Sequence, residues 1–281
     1  MFCAAPAAFA PITRIEAGKL LGYTTDLWAA SGLQRLSSIY LGNCIKVRRS
    51  SDNAEQDIGF SGNALNTAAL ATFVGANNGF VTKWYDQSGN GRDLSQATAA
   101  SQARIVNGGS YLGQLQMDLA STPAAANMAT VATTTSTQKK TIIFKGVTRS
   151  SVAANYQVYA EGGGLALRMD NPPQTPYSTE NSGAVQTWSG TNADNGSTDN
   201  YRAGWLDTTA AANLDRMGWR FAGANTTSAY NSGTVTQNSS QGGGVFTLGH
   251  ASTSAQPRLS DLIIYMRLLT TGDMDALGAS L

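Results

Sequence analysis

The sequence predicts an all-β chain, a two-sheet jelly-roll sandwich with a few short helices. Three observations carry this. Short runs rich in Val, Ile, Thr, Phe, Tyr and Trp recur, divided by clusters of Gly, Asn, Asp and Ser. Charged residues make up only 13% of the 281, so the polar surface is left to Ser, Thr, Asn, Gln and Gly. Helical periodicity is confined to brief stretches.

Residues 1–25 read as an N-terminal arm and entry segment, and residues 26–281 as one sandwich domain. Leu27, Trp28, Leu33 and Leu36 are spaced for an amphipathic helix that Gly32 weakens. Ile39 to Arg48 and Asp57 to Phe60 read as strands. Asn66 to Val74 reads as a short helix, with Asn66 as its N-cap and Gly75 near its end. Phe80 to Tyr85, Ala103 to Val106 and Gln114 to Leu119 follow as strands. Thr141 to Val147 is a strong strand, β-branched and bounded by polar runs. Gln157 to Ala160, Leu165 to Met169, Asp215 to Phe221, Val245 to Leu248 and Leu259 to Met266 complete the set, before a terminal helix at Gly272 to Leu277. Residues 171–204, dense in Pro, Asn, Ser, Gly and Thr, read as a long loop of the kind that carries function.

Composition removes several classes of function. The net charge is +1, and the pairs Arg48-Arg49 and Lys139-Lys140 are solvated strand ends too short to draw in nucleic acid. No run approaches the roughly 18 to 20 apolar residues of a membrane span. Cys3 and Cys44 are the only cysteines and His250 the only histidine, so neither a disulfide framework nor a zinc cluster can be assembled. No cofactor is expected. Asp52 to Asp57 is acidic but lacks the glycine-punctuated spacing of a calcium loop. The apolar start, Met1 to Ala10, lacks the basic region of a signal peptide and reads as an arm.

The most distinctive stretch is Trp84-Tyr85-Asp86-Gln87-Ser88-Gly89-Asn90-Gly91-Arg92-Asp93. A strand ending in two aromatics runs into a turn where Gly89 and Gly91 can take positive φ, and where Asp86, Asn90 and Asp93 can bond nearby amides. A rigid turn beside exposed aromatics is suited to holding a sugar ring, and it equally suits a structural turn at a sandwich edge.

Together with Ile45 to Phe60, this stretch resembles the catalytic β-sandwich of the family-54 α-L-arabinofuranosidases. It is more similar still to the arabinofuranosidase-like domains of bacteriophage tail and virion proteins. The resemblance is strong from about Leu27 to Ile105 and returns at Asp261-Leu262-Ile263-Ile264-Tyr265, which is similar to the closing strand of concanavalin-A-type lectin and glucanase domains. It implies a retaining glycosidase site with two carboxylates about 5 to 5.5 Å apart. The family's nucleophile element, Asp-x-Glu-Asn, has its nearest match at Ser178-Thr179-Glu180-Asn181, which keeps Glu-Asn and loses the leading Asp. The family's acid/base Asp follows a Leu-Gly pair, where this chain reads Leu248-Gly249-His250. The enzymes' adjacent-cysteine pair is also missing. No Gly-x-Ser-x-Gly elbow offers a different nucleophile.

The expectation from sequence is therefore a non-enzymatic structural protein of a tailed-bacteriophage virion, in the capsid decoration, tail or fibre. Its N-terminal arm would dock onto other virion proteins, and multiple copies or a homo-oligomer would sit on the particle surface. A host-surface glycan is its candidate ligand, held by Trp84, Tyr85, Asp86, Asn90 and His250. Neither nucleic acid nor a membrane is an expected partner. The alternative is a glycosidase of α-L-arabinofuranosidase type with Glu180 as nucleophile.

Overall fold

The computed structural model describes residues 20, 26–117, 127–134, 137–147, 156–161, 165–169, 177–181, 184–188, 200–212, 215–221, 224–225, 228–232, 237, 244–249 and 258–281. Its strands are β1 Leu27–Gly32, β2 Ile45–Arg49, β3 Glu55–Ile58, β4 Phe60–Ser61, β5 Ala64–Leu65, β6 Gly79–Trp84, β7 Leu94–Ser95, β8 Ala103–Asn107, β9 Ser110–Gln116, β10 Asn127–Thr134 and β11 Lys139–Val147. They continue as β12 Tyr156–Glu161, β13 Leu165–Met169, β14 Tyr177–Asn181, β15 Ala184–Trp188, β16 Asn200–Asp207, β17 Met217–Phe221, β18 Ala224–Asn225, β19 Ser228–Ser232, β20 Gly244–Gly249 and β21 Arg258–Tyr265. Among the described residues two α-helices, α1 Thr67–Val74 and α2 Thr271–Ser280, accompany them.

Antiparallel pairing arranges these strands in two layers. The front layer runs β3–β2–β6–β7–β10–β20–β12–β13–β14–β15–β19, and the back layer runs β1–β21–β11–β16–β17–β18. β8 and β9 carry the ladder from β6 to β21 at one edge, so the layers belong to one continuous sheet folded on itself. The expected two-sheet sandwich is what the chain forms.

Alternation along each strand decides which face is buried. Trp84, Val47, Phe246 and Leu248 of the front layer meet Trp28, Ile142, Phe144, Leu262 and Ile264 of the back layer in the main core. The rings of Trp28 and Phe246 meet edge to face across it at 6.3 Å. The back layer is buried on its second face as well. Ala30, Ile143, Ala203, Ile263 and Tyr265 pack there beneath Met274 and Leu277 of α2.

Local chemistry sets both helices. The Asn66 side chain accepts from Ala69 N at 3.0 Å, which satisfies an orphan donor of the first turn of α1. A reciprocal capping box of Thr270 and Asp273 starts α2. Asp275 then fastens α2 to the sheet, accepting from the Arg220 guanidinium and from the Tyr201 hydroxyl.

Several sequence expectations are corrected. Residues 27–32 form strand β1 rather than a helix. It is buried on both faces, so its apolar residues show no alternation from which a strand could be read. The strand expected from Ile39 begins only at Ile45, and Ile39 and Leu41 are 88% exposed on a turn. The long loop expected over 171–204 contains β14, β15 and the start of β16. Lys140, expected at a solvated strand end, is fully buried. Except for Leu20, the N-terminal arm over 1–25 lies outside the described residues.

The Arg220 guanidinium holds the Asp275 carboxyl below its ordinary range, an effect reinforced by the Tyr201 hydroxyl and partly opposed by burial. A depressed folded-state value means stability that is present above the unfolded carboxylate value of about 3.9 and lost as pH falls through the folded value. Thermal unfolding from pH 7 to pH 3 is expected to show this acid-side loss. Asp275→Asn is expected to lower the pH 7 melting temperature and to flatten the acid limb.

Candidate functional site

The Trp84–Asp93 stretch is bound up with β1. One edge of β1 pairs with β21, and among the described residues no strand lies along its other edge. The turn after β6 takes that place. Gln87 N donates to Ala30 O at 2.6 Å, and the Asp86 carboxylate accepts from Ala30 N at 2.9 Å. The Gln87 side chain donates to Gly32 O and Gln34 O and accepts from Leu36 N. Asn90 Nδ2 donates to Leu27 O and Trp28 O, and Arg92 donates to Trp28 O with its guanidinium 4.6 Å from the Trp28 ring centroid. Asp86 also accepts from Ser88 N, Ser88 Oγ and Arg92 N, closing the turn on itself. Gly89 at φ 87° and Gly91 at φ 68° supply the left-handed backbone this closure requires.

These bonds reassign most of the expected sugar ligands. Trp84 lies at 0% exposure in the main core, so its ring offers no face to a ligand, which corrects the outward placement expected from sequence. Asp86 is buried, with its carboxylate saturated by four donors. Both protons of the Asn90 amide go to β1 carbonyls. Tyr85 is half-buried, its hydroxyl donating to Asp57 Oδ1 at 2.6 Å and its ring carrying Lys83 Nζ at 5.3 Å from the centroid. Burial pushes the Tyr85 phenol up, and the Asp57 carboxylate adds to the shift. His250 lies outside the described residues. In the acidic run at 52–57, Asp52 is taken by Arg49 and Asp57 by Tyr85. Among the described residues, no group of three or more His, Cys, Asp or Glu could hold a metal ion.

Of the two outer faces of the sandwich, α2 covers the back one. A single register row crosses ten strands of the front layer. Asp57, Lys46, Lys83, Ser95, Ala129, Thr247, Ala160, Ala166, Glu180 and Val185 are paired in succession from β3 to β15. The strand neighbours Ile45, Trp84, Leu94 and Leu248 are core residues, so Lys46, Lys83, Ser95 and Thr247 belong to the opposite, outer face. Asp57 is exposed, while Lys46, Lys83, Ser95 and Thr247 are half-buried. Glu180 thus shares a row with two lysines that the sequence analysis did not single out as site residues. The signal was present in the alternation of Lys46 and Lys83 with Ile45, Val47 and Trp84, but a shared row needs the pairing register as well.

The row separates its charged groups widely. β7, which follows Asp93, is five strands from β14, or about 24 Å at ~4.8 Å per strand. Asp57, on β3, is farther still. Neither carboxylate can act with Glu180 across the 5 to 5.5 Å of a retaining pair. Asp93 instead binds Asp86 N and forms an ion pair with Lys83 at 3.3 Å.

Comparison with known proteins agrees with this architecture. Residues 22–236 match the family model described as alpha-L-arabinofuranosidase B, catalytic. A family-54 α-L-arabinofuranosidase soaked with a cyclic sulfate inhibitor is similar at TM-score 0.66 and 16% identity, over 94% of this chain and 64% of that one. A glutamate-to-glutamine mutant of a family-54 α-L-arabinofuranosidase, soaked with 4-nitrophenyl α-L-arabinofuranoside, is similar at TM-score 0.60 and 15% identity, over 94% and 64%. An arabinofuranosidase complexed with arabinofuranosyl-α-1,2-xylobiose gives 0.57 and 14%, over 93% and 65%. At such identities the likeness is one of fold, and the chain spans a little under two thirds of each of these structures. No curated protein matches the chain. The match to a catalytic-domain model overturns the expectation of a non-enzymatic bacteriophage structural protein, and nothing in these comparisons links the chain to a virion.

The clamp makes a prediction about stability. Trp84→Ala is expected to cost about 3–5 kcal/mol, which lowers the melting temperature by roughly 10 °C at about 2–4 °C per kcal/mol. Asp86→Ala, which strands the Ala30 and Arg92 amides, is expected to cost about 3 kcal/mol or more. Differential scanning calorimetry reads both.

Proposed function

The chain belongs to the family of the α-L-arabinofuranosidase B catalytic domain, and on that premise we propose that it is a glycosidase removing α-L-arabinofuranosyl groups from polysaccharide. The observation that carries the reading is the catalytic-domain match over residues 22–236, a span that includes Glu180 and Asn181 of β14.

In this reading Glu180 attacks the anomeric carbon as the glycosidic oxygen departs with a proton. Water then hydrolyses the glycosyl ester and releases arabinose with retained configuration. His250 follows Gly249 at the end of β20, where the family's acid/base aspartate is expected. In this reading the His250 side chain supplies that proton.

Hydrolysis of 4-nitrophenyl α-L-arabinofuranoside tests the proposal. Turnover is expected from the unmodified chain, and Glu180→Gln is expected to reduce it to the background rate with an unchanged melting temperature. His250→Ala is expected to lower kcat about 10²- to 10⁴-fold on an arabinose-bearing oligosaccharide, and less on the activated aryl substrate. Turnover that survives Glu180→Gln would remove Glu180 from the reaction.

A further inference from the structure

We propose that the apolar N-terminal segment of this chain, Met1 to Ile12, docks on Ile39 and Leu41, two aliphatic residues that the loop between β1 and β2 holds out to solvent.

The loop has the form of a contact surface. Ile39 and Leu41 are each 88% exposed, whereas the next large apolar residues among those described, Val245 and Tyr111, reach 43% and 40%. A lone exposed aliphatic residue is ordinary, but two nearly bare ones on a single tip form an apolar patch. The tip is also firmly built. Tyr40, between them, turns inward: its ring meets Phe60 edge to face at 6.4 Å, and its hydroxyl donates to Asn43 O at 2.9 Å. Arg35 donates to Tyr40 O at 2.9 Å, with its guanidinium 5.0 Å from the Phe60 ring centroid. A Cβ at Gly42 would stand 2.5 Å from the Tyr40 hydroxyl, so the glycine makes room for that ring. With Tyr40 fastened to the domain, Ile39 and Leu41 are committed outwards, and the fold gains little burial from either.

Leu20 brings the occupant to this place. Its amide donates to Leu36 O at 2.9 Å, and its side chain is buried in the smaller core with Leu36 and Ala30. The chain that precedes Leu20 is thus tethered three residues from Ile39, within about 11 Å along the backbone. Met1 to Ile12 carries no charged side chain and includes Phe2, Phe9 and Ile12. The residues from Ile12 to Leu20 span up to about 28 Å when extended, ample to reach the tip. Area and charge favour this occupant over others. Two side chains on each partner bury far less than the roughly 1,200 Å² of a stable association between separate molecules. A tethered segment escapes that requirement, because its docking is intramolecular. A net charge of +1 gives no attraction to an anionic membrane surface.

The full chain with photo-crosslinking p-benzoylphenylalanine in place of Ile39 tests the occupant. Irradiation is expected to join position 39 to a peptide from residues 1–12 of the same chain, at a yield independent of protein concentration. A cross-link between two copies, a cross-link formed only to lipid vesicles, or none at all overturns the proposal. Trypsin cleavage after Arg14, two residues beyond Ile12, gives a second readout, since cleavage samples the undocked population. Ile39→Ser combined with Leu41→Ser is expected to speed that cleavage about 5- to 30-fold, the factor set by partial burial of two aliphatic side chains. Both positions are exposed, so the variant keeps its fold. Equal rates in the two chains, or a difference that persists once residues 1–12 are removed, overturn the proposal as well.

Discussion

Among the described residues β1 has a partner strand on only one side, and the backbone groups on its other side must be bonded where water is scarce. An unpaired buried peptide group costs about as much as a lost hydrogen bond. The turn from Asp86 to Arg92 meets this need, binding Leu27, Trp28, Ala30, Gly32, Gln34 and Leu36 with main-chain, amide, carboxylate and guanidinium groups. Because Trp28 and Ala29 on this strand line the main core while Ala30 lines the smaller one, the placement of β1 governs both. Trp84 anchors the same turn from the core side. The turn is therefore a structural clamp, and its polar residues are committed before any ligand arrives.

That commitment directs attention to the rest of the surface. The two inner faces of the sandwich are filled, and α2 closes the back of the second layer through Met274 and Leu277. The front layer keeps its outer face for polar residues such as Asp57, Lys46, Lys83, Ser95 and Thr247. Trp84 stabilises the core, while Lys83, one residue earlier, stands on the outer face.

Much of this was legible in the sequence. Turn chemistry and caps are local, so Asn66 before α1, the run from Gly272 in α2 and the glycine-rich turn after Trp84 could all be read from neighbouring residues. The family resemblance pointed to the right fold. Other features depend on contacts distant in the chain. β1 is buried on both faces, which erases the alternation that marks a strand. β14 and β15, with their Ser, Thr, Asn and Gln, have the composition of a loop. The outward placement expected of Trp84 was an error of parity. A shift of one residue exchanges the two faces of a strand, and only the register with Ile45 and Leu94 fixes which face is inside. The non-enzymatic expectation arose from counting missing catalytic residues, whereas the family match embraces most of the chain.

The central claim is that the Trp84–Asp93 turn is scaffold and that the sugar chemistry proposed for Glu180 takes place away from it. A crystal structure of the Glu180→Gln chain with an arabinofuranosylated xylo-oligosaccharide tests it most directly. The account predicts an arabinofuranosyl ring at residue 180 and no sugar on the turn. Sugar density seated on the Asp86–Arg92 turn, or on the α2 side of the sandwich, would contradict it.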